Sequence, residues 1–281
     1  MTGTGSEPVL RIRDLSKRYP NGLLAVDGVN LNVGRGELVA LLGANGSGKS
    51  TVLRCAVRLV DPTSGSVEVA GRDFAQISGR ALREARREVA MIFQEGHLVR
   101  QRRVVANVAA GALGRHGWRS AFGGLPREEL RRSLHHLDRV GLRELALRRA
   151  DSLSGGQAQR VAIARALSQQ PQALLADEPV ASLDPDATQM VMALLRDLAT
   201  REGLGILCVL HQPELALRYA HRVAGMRDGR LEFCEPAAGL TVSGIAPLYG
   251  DPAVRDDRGR RPADTPPRRR RAAAEAGRVA G

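Results

Sequence analysis

The chain has 281 residues, 43% of them hydrophobic but only 3% aromatic, so a core of Leu, Val and Ala is available for one large domain or two small ones. No run of about eighteen apolar residues occurs, which excludes a transmembrane helix. The net charge of +12 raises nucleic-acid binding, but its distribution argues against a dedicated binding face. Nine arginines against four acids crowd residues 255–281, and only Lys17 and Lys49 are lysines. An arginine bias that spans the chain reads as composition. Met1 to Pro8 is polar, with Glu7, and lacks the basic-then-apolar order of a signal peptide, so a cytosolic chain is expected. Cys55, Cys208 and Cys234 have no metal-ligand spacing and are expected as buried small hydrophobes.

In chain order, Leu10 to Leu15 reads as a strand, Asn21-Gly22 as a hairpin turn and Leu23 to Val33 as the returning strand. Gly36 to Leu42 ends in the apolar run Leu38-Val39-Ala40-Leu41-Leu42, suited to a buried parallel strand. Ser66 to Ala70 and Val89 to Phe93 are further strands, with a short charged helix from Arg80 to Arg87 between them. Leu130, Leu134, Leu137 and Val140 then recur at helical spacing behind Pro126, and Gly114 to Gly124 reads as a loop. Helix and strand patterns alternate afterwards: Gly155 to Ser168, Ala173 to Ala176, Ala187 to Thr200, Gly205 to Leu210, Pro213 to Tyr219. That alternation predicts an α/β fold with a largely parallel sheet.

Three motifs carry chemistry. Gly43-Ala44-Asn45-Gly46-Ser47-Gly48-Lys49-Ser50-Thr51 matches the phosphate-binding pattern G-x-x-x-x-G-K-[ST], between an apolar strand and a helical pattern. Its glycines let successive amides point at phosphate oxygens, Lys49 reaches the β- and γ-phosphates, and the Ser50 hydroxyl is a Mg²⁺ ligand. Ala173 to Glu178 is an apolar strand ending in two acids. Asp177 suits Mg²⁺, and Glu178 suits a general base for the attacking water. Leu153-Ser154-Gly155-Gly156-Gln157 opens a helix with a good N-cap residue and bare amides for a second anion site.

With that pentapeptide between the two nucleotide motifs, the chain resembles the ATP-binding subunits of ABC transporters. The resemblance covers about residues 8–250. It implies a P-loop NTPase core with a largely parallel sheet, an antiparallel β subdomain, and a helical subdomain inserted at about residues 96–155. By the same resemblance Tyr19 stacks on adenine, Gln94 links metal and water to the membrane partner, and Asp184, in Ser182-Leu183-Asp184, couples the two sites of a dimer. His211 becomes the switch that contacts the γ-phosphate and orients Glu178. Ser154, Gly155, Gly156 and Gln157 contact the ATP held by the other copy.

The implied substrate and cofactor are ATP and Mg²⁺. The implied partners are a second copy of the chain, membrane permease subunits and, through them, an extracytoplasmic solute-binding protein. The implied location is the cytoplasmic face of the cell membrane, with no specific nucleic acid bound. A soluble nucleic-acid ATPase of this superfamily usually has two nucleotide units or a long coiled coil, and neither is present.

Several segments look like phosphonate import ATP-binding proteins: Met91-Ile92-Phe93-Gln94 with Leu98-Val99, Asn107-Val108, Gly111 to Arg115 with Trp118-Arg119, Ala176 to Pro185, and His211-Gln212. Glu95-Gly96-His97 and Ala158 depart from that pattern. Import of another small solute, such as phosphate, phosphite, an amino acid or a polar metabolite, is the alternative.

Residues 251–281, with Arg268 to Arg271 and only Val279 larger than Ala among the apolar residues of 255–281, are expected to form a disordered basic tail. Cutting the chain after Pro252 is therefore expected to leave the melting temperature and basal ATPase rate nearly unchanged. Scanning calorimetry and a phosphate-release assay check this.

Overall fold

The computed structural model describes residues 7–94, 96–116 and 126–249. The loop around Trp118, Glu95 and the basic tail lie outside the described residues. Two sheets form the framework. In the first, β1 (Pro8–Arg18) pairs antiparallel with β2 (Leu24–Gly34), and the order is completed by β4 (Ser64–Val69) and the short β5 (Arg72–Asp73) as β2-β1-β4-β5. Along β2, Val26, Val29, Leu31 and Val33 turn inward while the residues between them face out. That alternation is expected of a sheet with one covered face.

The second sheet has the order β10-β9-β3-β8-β7-β6. Its strands β3 (Leu38–Leu42), β6 (Val89–Ile92), β7 (Ala173–Asp177), β8 (Gly205–Val209) and β9 (Arg222–Arg227) run parallel, and β10 (Arg230–Pro236) closes one edge antiparallel. Every residue of β3, β7 and β8 is buried, as an apolar run covered on both faces must be. Leu38, Ala40 and Leu42 point into a core shared with the helices, while Val39 and Leu41 point toward the first sheet.

The helices are α1 (Lys49–Ala56), α2 (Gly79–Ala85), α3 (Val104–Ala109), α4 (Leu113–His116), α5 (Arg127–Arg139), α6 (Gly155–Ser168), α7 (Pro185–Glu202), α8 (Pro213–Tyr219) and α9 (Val242–Ile245). α3, α4 and α5 lie between β6 and α6 in the chain. α3 and α5 pack against α6 around Val104, Val108, Leu137 and Ile163. Asn107 is buried there. Its side-chain carbonyl accepts the Val99 amide at 2.7 Å, and its NH₂ donates to Val99 O and Arg103 O, so it pins the loop before α3.

Four features depart from the sequence reading. Gly114, expected to open a loop, lies instead in α4, which runs to His116. Leu130 begins the apolar stripe of α5 but is exposed, while Leu137 and Val140 are buried. The β9–β10 hairpin was not expected, although Asp228-Gly229, both at positive φ, supplies its turn. Cys234 is only half-buried, because it sits on the edge strand β10. Its sulfur lies 2.9 Å from the Arg222 guanidinium, so it is not a plain core residue like Cys55 and Cys208.

His136 on α5 is buried, with Arg139 Nη1 3.2 Å from its Nδ1. Burial first, then Arg139, His135 and Arg115, push its pKa down to about 4, against the opposing pull of Glu129. A group with a depressed folded pKa contributes stability above its unfolded value, near 6.5, and loses it as pH falls toward 4. Urea unfolding at pH 7 and pH 4.5 is expected to show a loss of roughly 2–3 kcal/mol from this group. His136→Gln is expected to flatten that acid limb.

Candidate nucleotide site

The parallel register sets the site. Leu41 lies opposite Val209, and Val209 opposite Asp177, so the carboxyl ends of β3, β8 and β7 finish side by side. In open α/β sheets this edge is where ligands bind. The chain leaving β3 forms the 43–48 loop and enters α1 at Lys49. Two glycines of that loop are required by close approach. A Cβ on Gly43 would lie 2.2 Å from Met226 O, and one on Gly48 2.2 Å from Ala25 O. Gly46 has φ +81° but nothing within 4 Å of a Cβ, so its open side faces the cleft.

Lys49 is buried, and its ammonium donates to Gly43 O and Ala44 O at 2.9 Å each. Burial holds its pKa below the ordinary lysine value, opposed by Glu178 and Asp177. The next residue, Ser50, donates its hydroxyl to Asp177 Oδ1 at 2.8 Å. Asp177 is buried at the end of β7. That burial raises its pKa, while Ser50, Arg54 and Lys49 act the other way and Glu178 adds to the rise. Ser50 and Asp177 thus present two hard oxygen donors to one point. No group of three His, Cys, Asp or Glu side chains gathers among the described residues. The pair fits Mg²⁺, which binds through one or two protein oxygens and takes the rest from phosphates and water.

Glu178 leaves the strand with φ +52°, a left-handed conformation uncommon outside glycine. That turn aims its carboxylate across the strand ends, where Oε1 lies 2.6 Å from His211 Nε2. A cleft of about 510 Å³ gathers Tyr19, Asn45, Gly46, Gly48, Lys49, Ser50, Thr51, Glu178 and His211. Gly43, Ser47 and Asp177 are buried, and Ala44 is half-buried. Leu23, 58% exposed, and Ala25 line the same cleft beside Tyr19. Sequence reasoning missed both, because a strand-end Leu and an Ala carry no chemical signature.

The remaining sequence-predicted residues lie elsewhere. Gln94, exposed after β6, lines a separate cavity of about 430 Å³ with Ser154, Gly155 and Leu183. Ser154 caps α6 reciprocally: its Oγ accepts the Gln157 amide, and Gln157 Oε1 accepts the Ser154 amide. Gly156 is buried where a Cβ would lie 2.6 Å from Ala187 Cβ, so it sets the approach of α6 to α7. Asp184 caps α7 by accepting the Ala187 amide at 2.8 Å. At the far half of α6, Arg165 donates to Gly96 O and His97 O at 2.6 and 2.7 Å, which fastens that helix to the loop after Gln94.

The ABC transporter family profile matches residues 26–181. The chain belongs to the ABC transporter family. As a member it binds ATP with Mg²⁺ and hydrolyses it. It is 47% identical over 244 residues to the Phosphonates import ATP-binding protein PhnC 2 of Synechococcus sp. (strain JA-2-3B'a(2-13)), covering 86% of this chain and 91% of that protein. It is 48% identical over 254 residues to the Phosphate-import ATP-binding protein PhnC of Mycolicibacterium smegmatis, covering 89% and 96%. Among solved structures, the dimeric post-hydrolysis ATP-binding cassette bound to ADP and Pi superposes with a TM-score of 0.71 at 33% identity, covering 82% of this ABC chain and all of that one. The cbiO1 subunit of an ABC transporter complex from Clostridium perfringens gives a TM-score of 0.73 at 29% identity, covering 83% and 90%.

The two kinds of loop glycine give a test within this ABC cassette. Gly46→Ala meets no atom and is expected to cost about 1 kcal/mol, from the left-handed backbone alone. Gly48→Ala meets a backbone carbonyl and is expected to cost several times more and to weaken ADP binding by over tenfold. Urea melts and isothermal titration with Mg-ADP compare them.

Proposed function

We propose that this ABC cassette energises uptake of phosphonates through a membrane permease on the cytoplasmic face of the cell membrane. The observation that carries the substrate class is the likeness to phosphonate import cassettes over 86% of the chain, a span that includes the helices between β6 and α6. Those helices, with the Gln94 loop, are the surface offered to the permease. Among the described residues no helix is long and apolar enough to cross a membrane, which supports a separate permease. A solute-binding protein outside the membrane delivers the solute in this reading.

In the proposed cycle, Lys49 and the loop amides hold the β- and γ-phosphates and Tyr19 supports the adenine. Ser50 and Asp177 hold Mg²⁺, which neutralises phosphate charge when bound. Glu178 takes a proton from the attacking water, and His211 holds its carboxylate in place. Gln94 reports the site to the permease. In one chain Ser154 and Gly155 face a cavity distinct from the Lys49 cleft. This supports a sandwich of two copies, with Ser154, Gly155, Gly156 and Gln157 of one closing over the ATP of the other and Asp184 linking the sites.

A second reading, import of inorganic phosphate, is favoured by the Mycolicibacterium relative, whose identity is equally high. Deleting the gene and growing cells on methylphosphonate or on limiting phosphate as sole phosphorus source separates the two. Loss of growth on the phosphonate alone supports the first reading. Loss on limiting phosphate alone supports the second, and normal growth on both rejects both. Independently, Glu178→Gln is expected to lower ATP turnover by about 10²–10⁴-fold while retaining ATP binding. Near-wild-type turnover would remove Glu178 from its role.

A further inference from the structure

The backbone ladder between β3 and β8 ends where Leu210 N–H donates to Leu41 O at 3.2 Å. Beyond that link the two chains part. One becomes the phosphate loop at Gly43, and the other carries His211. A side chain from a distant segment bridges the fork. Tyr249 closes a 3₁₀ turn (Ala246–Tyr249), and its hydroxyl donates to His211 O at 3.2 Å. The Gly43 backbone acts on the same phenol, opposing the rise that burial gives its pKa. The phenol therefore stands between the two parting strands, with its donor engaged on His211 O.

The segment that holds Tyr249 is itself anchored. Ile245 and Leu248 are buried in the helix-side core. Arg227 Nη2 donates to Pro247 O at 2.8 Å, and Thr241 caps α9 by accepting the Gly244 amide. Tyr249 is half-buried against the same core, and burial raises its pKa, so the phenol keeps its proton at neutral pH. His211 itself stands outside the β8 ladder. It lies two residues past the end of β8, and the position of its ring depends on how its peptide is held.

We propose that Tyr249 is a positioning residue for hydrolysis, fixing the His211 peptide against the phosphate loop and, through it, the 2.6 Å contact of His211 Nε2 with Glu178. The inference rests on the reading of Glu178 and His211 as the hydrolytic pair. Tyr249 does not line the cleft and reaches it only through the backbones of His211 and Gly43, so its loss acts on turnover rather than on binding.

The test is Tyr249→Phe in the full-length chain, which removes one hydroxyl and keeps the ring. Steady-state ATPase assays and titration with Mg-ADP are the readouts, with His211→Ala as control. The expected result is a fall in kcat of about threefold to tenfold, the effect of one hydrogen bond. KM for ATP and Kd for ADP stay within about twofold, and Tm stays within a few degrees. A kcat within twofold of wild type overturns the proposal. So does a loss of ADP affinity equal to the loss of turnover, which would make Tyr249 a binding element. A Tm lower by more than about 5 °C would make its role structural and also overturns it. If His211→Ala itself leaves turnover intact, the reading of the hydrolytic pair has failed, which is a separate result.

Discussion

The nucleotide site depends first on the parallel register of β3, β8 and β7. Hydrogen bonds between these strands fix which residues finish at the same height. Leu41, Val209 and Asp177 stand level, so the phosphate loop, the His211 loop and the Asp177-Glu178 pair emerge from one edge. A slip of one residue in β7 would turn Asp177 to the opposite face and separate it from Ser50. The continuous burial of all three strands guards against that slip, because each residue is packed on one face or the other.

The same burial makes the charges at the edge costly. Lys49 and Asp177 are both buried, and burial pushes each toward its neutral form. The site offsets this with local bonds: Lys49 donates to the carbonyls of its own loop, and Ser50 donates to Asp177. In the function proposed above, an anionic nucleotide with its metal replaces those partners by stronger opposite charges. The cleft is therefore most stable in charge terms when nucleotide and metal arrive together.

Much of this was legible in the sequence, for physical reasons. The phosphate loop is local. Its glycines, lysine and hydroxyl must follow a buried strand, and the apolar run Leu38 to Leu42 announces that strand. α6 and α8 begin and end where the cap residues and periodicity place them, at Gly155 to Ser168 and Pro213 to Tyr219. What stayed hidden depends on distant packing. Tyr249 approaches His211 only because α9 and the turn after it fold back on the core. Leu23 and Ala25 line the cleft only because the first sheet leans on the loop at Gly48. The half-buried state of Cys234 follows from its place on an edge strand, and the sequence does not reveal which strand is the edge.

The grip of Arg165 on Gly96 and His97 has a mechanical side. Eleven residues separate Arg165 from Ser154 along α6, which is about 16 Å of continuous helix. A helix of that kind is stiff along its axis. It carries a push from one end to the other instead of absorbing it. The cap at Ser154 and Gln157 keeps the first turn from fraying, so displacement is not lost there. The helix therefore works as a connecting rod. A displacement of the loop after Gln94 along that axis is passed on to Ser154.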